Sequence, residues 1–268
     1  MNIKNIVQKI IARLGYRLVP LSTVNVNWES FLSLAKAYEY SLNLADHHIT
    51  ESKDRFTLLA HLSGTLPPEA YFIVRALAEV KTIRGDICEF GVAQGETSAL
   101  IANEIRDDGE KILHLFDSFE GLPAPTEKDQ LRNDVLTLGN MNSYAGKMSY
   151  PEDMVRARLE AISFPKGRYM LHKGFIDRVI TTNKDLPHSV SFAFVDFDFY
   201  EPIKLALNFL HGVTPSGAII IVDDYDYFST GAKIAVDEFI QENNANKLSY
   251  DLFIPNESYG HFAIISKK

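Results

Sequence analysis

The chain has 268 residues, enough to bury one large core, and its 46% hydrophobic and 23% charged content is ordinary for a globular protein. Its formal net charge of −8 argues against a nucleic-acid-binding protein, whose surface would be basic. The single cysteine, Cys88, excludes a disulfide framework and a cysteine zinc site, and it favours a reducing, cytoplasmic setting.

Residues 1–20 have the pattern of a basic amphipathic helix. Apolar residues recur at helical spacing from Ile3 to Leu14, lysines and arginines are interspersed, and the first acidic residue is Glu29. Such a helix could make a peripheral contact with the inner face of an anionic membrane, or it could dock on the protein body or on a second subunit. We favour docking, because amphipathic helices of this kind are common in soluble proteins. No apolar stretch approaches the roughly 20 residues of a membrane span.

The next part of the chain is predicted to be helical. Apolar residues recur at three- and four-residue spacings from about Trp28 to Val80, and Pro67 and Pro68 break the pattern. A new helix is predicted from Glu69 to about Lys81. We expect residues 1–80 to form a helical extension or cap.

From Asp86 onward, short apolar runs alternate with helical stretches, which predicts a doubly wound, mostly parallel seven-stranded α/β sheet over residues 81–268. The predicted strands are Asp86–Phe90, Ile112–Phe116, Tyr169–His172, Ser191–Val195, Ala218–Val222, Tyr250–Ile254 and His261–Ile265. The predicted helices after the first strand are Thr97–Arg106, Ile203–Leu210 and Gly231–Asn243. Because Pro255, Asn256 and Gly260 separate the last two strands, we expect an antiparallel hairpin at one edge.

Residues 121–151 do not fit this alternation. The segment is rich in proline, glycine and polar residues, and it is too long for an ordinary connection. We predict that it is a lid over an active site.

Two apolar runs end at aspartates. One leads into Asp196 and Asp198, and the other leads into Asp223 and Asp224. The carboxyl ends of neighbouring parallel strands meet at the edge where open α/β sheets bind ligands. Clustered carboxylates repel one another unless a cation joins them, so a divalent metal is the natural candidate. For Asp198, a metal ligand and a helix cap are equally good interpretations, because a turn follows at once.

The first predicted strand ends in Glu89 and continues into a loop with Gly91 and Gly95, before a helix that includes Thr97. The glycines allow a tight turn and close approach of a ligand, and a helix N-terminus offers unpaired N–H groups. The dinucleotide fingerprint is not met, which predicts a nucleoside cradle. Asp117 ends the next strand, where an acid holds ribose hydroxyls, and we favour that role over a helix cap.

Five runs together resemble the S-adenosylmethionine-dependent macrocin O-methyltransferase family across residues 85–268. They are EFGVAQG at 89–95, DSFEGLP at 117–123, KGF at 173–175, DFDFYEP at 196–202 and DDY at 223–225. The resemblance implies the class I methyltransferase fold, with Glu89, Gly91, Asp117 and Ser118 around S-adenosylmethionine. It also implies Mg²⁺ held by Asp196, Asp223 and Asp224, and a homo-oligomer.

The leading hypothesis is a Mg²⁺-dependent O-methyltransferase acting on a hydroxyl of a sugar in a natural product, glycan or glycolipid. Coordination to a dication makes such a hydroxyl more acidic, and Asp196 could accept its proton or hold the metal. Two alternatives stay open. Asp196-Phe197-Asp198 could be the D-x-D of a metal-dependent glycosyltransferase, or the chain could be a non-enzymatic scaffold with a methyltransferase-like fold.

Overall fold

The structure is a computed structural model that describes residues 52–245 and 250–268. The predicted amphipathic helix at 1–20 and the helical pattern before residue 52 lie outside the described residues. The predicted division at residues 80 and 81 stays a prediction. None of the helices in these two ranges is both long and apolar enough to cross a membrane.

A seven-stranded sheet forms the centre of the protein, in the order β3-β2-β1-β4-β5-β7-β6. Its strands are β1 Asp86–Phe90, β2 Leu113–Asp117, β3 Tyr169–Lys173, β4 Val190–Val195, β5 Ile219–Val222, β6 Tyr250–Phe253 and β7 Ala263–Lys267. The first five strands are parallel, and β7 runs antiparallel to both β5 and β6. The predicted doubly wound sheet with a C-terminal hairpin at its edge is confirmed.

The helices are α1 Arg55–His61, α2 Pro67–Glu79, α3 Glu96–Glu104, α4 Glu152–Ala161, α5 Ile176–Thr182, α6 Tyr200–Val213 and α7 Thr230–Ala245. Helix α2 begins at Pro67, two residues before the predicted start. Proline suits the first turn of a helix, because its missing N–H has no partner there. Helices α4 and α5 were not predicted, and each buries only two residues. So short an apolar stripe gives a weak periodic signal.

Strands β1, β4 and β5 are covered on both faces by helices. On one face, residues of α2, α3 and α4 pack against Ile87, Phe192 and Ile221. On the other face, residues of α5, α6 and α7 pack against Cys88 and Ala193. Because both faces are buried, most residues of these strands are apolar and do not alternate with polar ones.

The register places the carboxyl ends of four strands at one edge. Phe90 of β1 pairs with Phe116 of β2 and with Val195 of β4, and Val195 pairs with Val222 of β5. The loops that follow these residues therefore converge at this edge of the sheet, which is where open α/β sheets bind ligands.

Candidate active site

A cavity of about 1160 Å³ lies at this edge. Its walls come from the glycine loop after β1, the loops after β2 to β5, the segment 121–151 and the N-terminal part of α2. The predicted site residues on its surface are Gly91, Thr97, Asp117, Ser118, Asp196, Asp198, Asp223 and Asp224. It exceeds an ordinary drug-sized pocket, so it has room for a cofactor and a second substrate.

Gly91 brings the glycine loop against the end of β4. Its φ is +85°, and a Cβ at this position would lie 1.8 Å from the carbonyl oxygen of Asp196. The Gly91 N–H donates to the Phe116 carbonyl at 2.8 Å, and the Asp196 N–H donates to the Phe90 carbonyl at 2.7 Å. Only glycine allows this approach, and the approach makes the loop and Asp196 neighbours on the cavity wall.

Asp117 holds the glycine loop with its carboxylate. One oxygen accepts from the N–H groups of Val92 at 2.8 Å and Ala93 at 3.0 Å, and the other accepts from Phe119 N–H at 2.6 Å. Residues 118–140 contain no helix, so the alternative interpretation as a helix cap is wrong. Beside it, the Ser118 hydroxyl donates to the Gly121 carbonyl at 2.9 Å. The Asp117 oxygen that accepts only from Phe119 has a further lone pair that a hydroxyl group could use.

Two predicted cofactor residues do not line the cavity. Glu89 is 1% exposed and accepts a hydrogen bond from the Ser98 hydroxyl. Burial raises the pKa of Glu89 to about 8, although the Ser98 hydrogen bond opposes the shift. Gly95 precedes α3, and a Cβ there would lie 3.0 Å from the Val155 Cα. Glu89 therefore joins β1 to α3, and Gly95 lets the start of α3 pack closely against α4.

Three carboxylates converge on the far side of the cavity. Asp196, Asp198 and Asp224 each offer an oxygen atom, and these atoms lie within 4.8 Å of one another. Burial raises the pKa of all three groups well above the usual range, and the negative charges of neighbouring carboxylates raise those pKa values further. An all-oxygen, negatively charged set fits Mg²⁺ or another hard divalent cation. Asp198 and Asp224 also have the uncommon positive φ angles of +62° and +56°.

The family model for macrocin O-methyltransferases matches residues 73–252, well over half of the chain. The chain belongs to this family. It is therefore an O-methyltransferase, and S-adenosylmethionine is the methyl donor typical of its class. The match includes all five runs that carried the resemblance and every predicted site residue.

Solved structures of O-methyltransferases share the fold. The O-methyltransferase NovP is 19% identical with a TM-score of 0.63, covering 89% of this chain and 99% of its own. CalS11, a calicheamicin methyltransferase, is 19% identical with a TM-score of 0.55, and the match covers 94% of this chain and 95% of that chain. An apo structure of CalS11 is described as a TDP-rhamnose 3′-O-methyltransferase. It is 18% identical with a TM-score of 0.52, and the match covers 87% of this chain and 93% of that chain. No match was found among curated protein sequences.

Within this macrocin-family methyltransferase, Asp223 does not join the converging carboxylates. Its Oδ1 accepts from the Asp224 N–H at 2.7 Å, and its carboxylate is hydrogen-bonded to Glu69. The structure thus brings Asp196 and Asp224 together as predicted, but it adds Asp198 in place of Asp223. Asp198 does not cap α6, because the Tyr200 N–H donates to Asp129 instead, at 2.7 Å.

Sequence reasoning missed two functional candidates in this family member. Glu69 of α2 lines the cavity and is buried beside Asp223. Burial raises the pKa of Glu69 well above its usual range, and the negative charges of Asp223, Asp196 and Asp224 add to the shift. His261 also lines the cavity and stacks on Tyr227, with ring centroids 4.6 Å apart. No sequence motif surrounds either residue. Each reaches the site only because elements that are distant in the chain pack together.

The segment 121–151 covers part of the cavity and is anchored beside the carboxylates. Leu131 forms an isolated β-bridge with Ser229, and the Arg132 guanidinium pairs with Asp226 at 2.9 Å. The Ser229 hydroxyl in turn donates to the Asp198 carbonyl at 2.9 Å. In this methyltransferase, the proposed lid and the proposed metal site therefore share supporting contacts. Opening and closing of the segment stays a prediction.

Proposed function

We propose that this enzyme transfers the methyl group of S-adenosylmethionine to a hydroxyl group of a sugar or sugar-bearing small molecule, with the help of Mg²⁺. The observation that carries the proposal is that one cavity contains both the glycine loop with Asp117 and the three carboxylates. A donor and an acceptor bound at these two ends would face each other in a shared space. Such positioning contributes much of the rate of a bimolecular transfer.

The residues around the glycine loop fit a nucleoside cofactor. Gly91 keeps the cavity wall free of a side chain, and the loop leads into the N-terminus of α3. Asp117 stands at the end of β2, where the free lone pair of its Oδ1 can accept from a ribose hydroxyl. Thr97 and Ser118 complete this wall, while Glu89 and Gly95 would act through the shape of the loop.

Asp196 and Asp224 would hold Mg²⁺ together with either Asp198 or Asp223. When bound, Mg²⁺ supplies positive charge that makes a hydroxyl group more acidic and thus a better nucleophile. Asp196 belongs to the carboxylate end of the cavity, and its backbone lies against Gly91 of the glycine loop. Its carboxylate would orient the acceptor hydroxyl and accept its proton as the methyl group transfers.

The sugar acceptor is inferred from the family and from CalS11, whose described acceptor is TDP-rhamnose. We also propose that residues 1–80 form a cap beside the catalytic domain at 81–268. A homo-oligomer and a cytoplasmic location belong to the same proposal, with residues 1–20 docked on the protein or resting on a membrane. The glycosyltransferase alternative is set aside by membership of a methyltransferase family.

Isothermal titration calorimetry with S-adenosylhomocysteine is the first test. We expect binding to the purified protein, and methyl transfer to a panel of TDP-deoxysugars and methyl pyranosides that stops with EDTA and returns with Mg²⁺. Absence of S-adenosylhomocysteine binding would refute the cofactor. Full activity after exhaustive EDTA treatment would refute the metal. Binding of a nucleotide sugar with Mn²⁺, together with indifference to S-adenosylmethionine, would favour glycosyl transfer.

Four Asp→Asn variants decide the ligand set. Loss of a charged metal ligand is expected to reduce affinity for Mg²⁺ by about 10- to 100-fold or more, since a carboxylate supplies both charge and an oxygen atom. Asp196→Asn and Asp224→Asn should both show this loss in a titration of activity against Mg²⁺. If Asp198 completes the set, Asp198→Asn joins them and Asp223→Asn does not. The opposite pattern supports Asp223 as the third ligand.

A further inference from the structure

Two aromatic rings lie in the cavity wall beside the proposed metal site. Tyr227 comes three residues after Asp224, and its N–H donates to the Asp224 carbonyl at 3.1 Å. His261, from the loop before β7, is near enough to Asp223 for their charges to interact. The two rings therefore belong to the end of the cavity where the acceptor hydroxyl would react.

Tyr227 and His261 form a stacked pair, which we call the aromatic platform. The ring centroids are 4.6 Å apart, and the ring planes differ by 20°. Tyr227 is nonetheless 36% exposed, which is unusual for so large a side chain in this protein. The platform thus has accessible surface that a ligand in the cavity can contact.

The backbone on which the platform stands is fixed. The residue after each ring is a phenylalanine that is only 1% exposed, Phe228 or Phe262. The side chain of Asn133 donates to the Tyr227 carbonyl at 2.7 Å, and the Asn133 N–H donates to the Phe228 carbonyl at 3.3 Å. A ring held in this way loses little conformational freedom when a ligand binds to it.

An aromatic face suits a ligand with a flat C–H surface. The face of the ring carries partial negative charge, which attracts the partial positive charge of C–H hydrogens. A pyranose ring has hydroxyl groups around its edge and C–H groups on its faces. Such a ring can therefore place a C–H face on Tyr227 while one of its hydroxyls points towards the carboxylates.

We propose that Tyr227, supported by His261, is a specificity-determining residue on which the C–H face of the acceptor's sugar ring stacks. This inference rests on the proposed function, because the metal end of the cavity must hold the reacting hydroxyl. It gives the acceptor a second contact that is separate from the metal. It also limits the acceptor to molecules whose reacting hydroxyl belongs to a ring with an unobstructed C–H face.

The kinetic test compares Tyr227→Phe, which keeps the ring, with Tyr227→Leu, which keeps an apolar side chain without a ring. It uses each member of the TDP-deoxysugar and methyl pyranoside panel that the wild-type enzyme methylates. We expect Tyr227→Leu to raise the acceptor KM by about 3- to 10-fold with kcat nearly unchanged, because stacking stabilises the bound acceptor and the transition state alike. Tyr227→Phe should stay within about twofold of the wild type, since its ring still stacks.

Phe253→Leu is the matched control. Phe253 is an aromatic residue of β6 that is 56% exposed and does not line the cavity, so this variant should keep the wild-type KM. His261→Phe, which preserves a stacking ring, should also keep it, whereas His261→Ala should raise the acceptor KM. Calorimetry with S-adenosylhomocysteine should give the same affinity for all the variants, which shows that the fold and the cofactor end are intact.

Nuclear magnetic resonance provides a direct signature of stacking. With S-adenosylhomocysteine and Mg²⁺ present, the acceptor can bind without being methylated. The ring current of Tyr227 should then shift the C–H protons of the stacked face upfield. We expect this shift with the wild-type enzyme and with Tyr227→Phe, and its loss with Tyr227→Leu.

The outcomes separate this inference from the proposed function. An unchanged acceptor KM in Tyr227→Leu, or the absence of an upfield shift with the wild-type enzyme, would overturn the inference while the methyltransferase activity stands. Equal losses in Tyr227→Phe and Tyr227→Leu would also overturn it, because the hydroxyl group rather than the ring would then make the contact. An unchanged KM in His261→Ala would overturn the supporting role of His261. If S-adenosylhomocysteine does not bind, or no panel member is methylated, the proposed function itself fails and this inference fails with it.

Discussion

At the scale of single residues, Gly91 is packed directly against the backbone of Asp196. Its positive φ requires glycine, and the end of β4 leaves no space for a Cβ. Gly139 provides a matched comparison in the proposed lid: its φ is +83°, but nothing lies within 4 Å of a Cβ built there. A side chain at Gly139 would meet only backbone strain, whereas a side chain at Gly91 would meet backbone strain and a steric clash.

We therefore predict that replacing glycine with alanine destabilises the protein to different extents at the two positions. Gly139→Ala should lower the free energy of unfolding by about 1 to 2 kcal/mol, which is the cost of a left-handed backbone for alanine. Gly91→Ala should cost more and should also weaken S-adenosylhomocysteine binding, because the loop must move away from Asp196. Chemical denaturation and calorimetry measure both effects. Equal costs at the two positions would contradict the close approach.

At the scale of elements, the segment 121–151 caps the N-terminus of α6 in place of the residue that directly precedes the helix. The residue before α6 makes no side-chain cap, and the N–H of Tyr200 donates instead to Asp129, whose other oxygen accepts from Thr126 N–H at 2.7 Å. Asp129 and Tyr200 are both buried, so the hydrogen bond between them is shielded from water. The contact joins the proposed lid to the helix that follows Asp198.

Asp129→Ala should release this connection. We expect the free energy of unfolding to fall by about 1 to 3 kcal/mol, since a helix cap and buried hydrogen bonds are lost. Proteolytic cleavage within residues 121–151 should become faster. Glu127→Ala, at an exposed neighbouring position, should change stability by less than about 0.5 kcal/mol and leave cleavage unchanged. Similar cleavage rates in the two variants would show that Asp129 does not anchor the segment.

At the scale of the whole molecule, buried acids make stability depend on pH. Glu89 has its pKa raised from 4.5 to about 8, mainly by burial. Between these two pH values the folded protein keeps a proton that the unfolded chain releases. The contribution of Glu89 to the free energy of unfolding is therefore fully favourable below pH 4.5 and is lost as pH rises towards 8.

Glu89→Gln should remove this share of the pH dependence. With divalent cations absent, we expect the fall in unfolding free energy between pH 5 and pH 8 to be smaller in the variant by about 2 to 4 kcal/mol. Glu160→Gln, which changes an exposed glutamate of α4, should keep the wild-type slope. Denaturant titrations at both pH values measure the difference. A wild-type slope in Glu89→Gln would mean that Glu89 is charged in the folded protein.

The sequence by itself determined the order of the strands along the chain, the C-terminal hairpin and the edge of the sheet where the site lies. Strands buried on both faces require apolar runs, and the polar residue that ends each run must emerge at the rim. The same pattern predicts that Gly91, Asp117, Asp196 and Asp224 lie at this edge, and all four line the cavity there. Helices α4 and α5 escaped it because their buried stripes are too short to show a period.

Only the tertiary structure decided which side chains meet. It grouped Asp198 with Asp196 and Asp224, and it turned Asp223 towards Glu69, a residue more than 150 positions away in the chain. It also left Glu89 and Gly95 out of the cavity wall. The reason is physical. Within a strand, the local pattern of apolar residues determines which side chains are buried. Beyond the end of a strand, the direction of a side chain depends on the backbone dihedral angles of the turn and on contacts with residues distant in the chain.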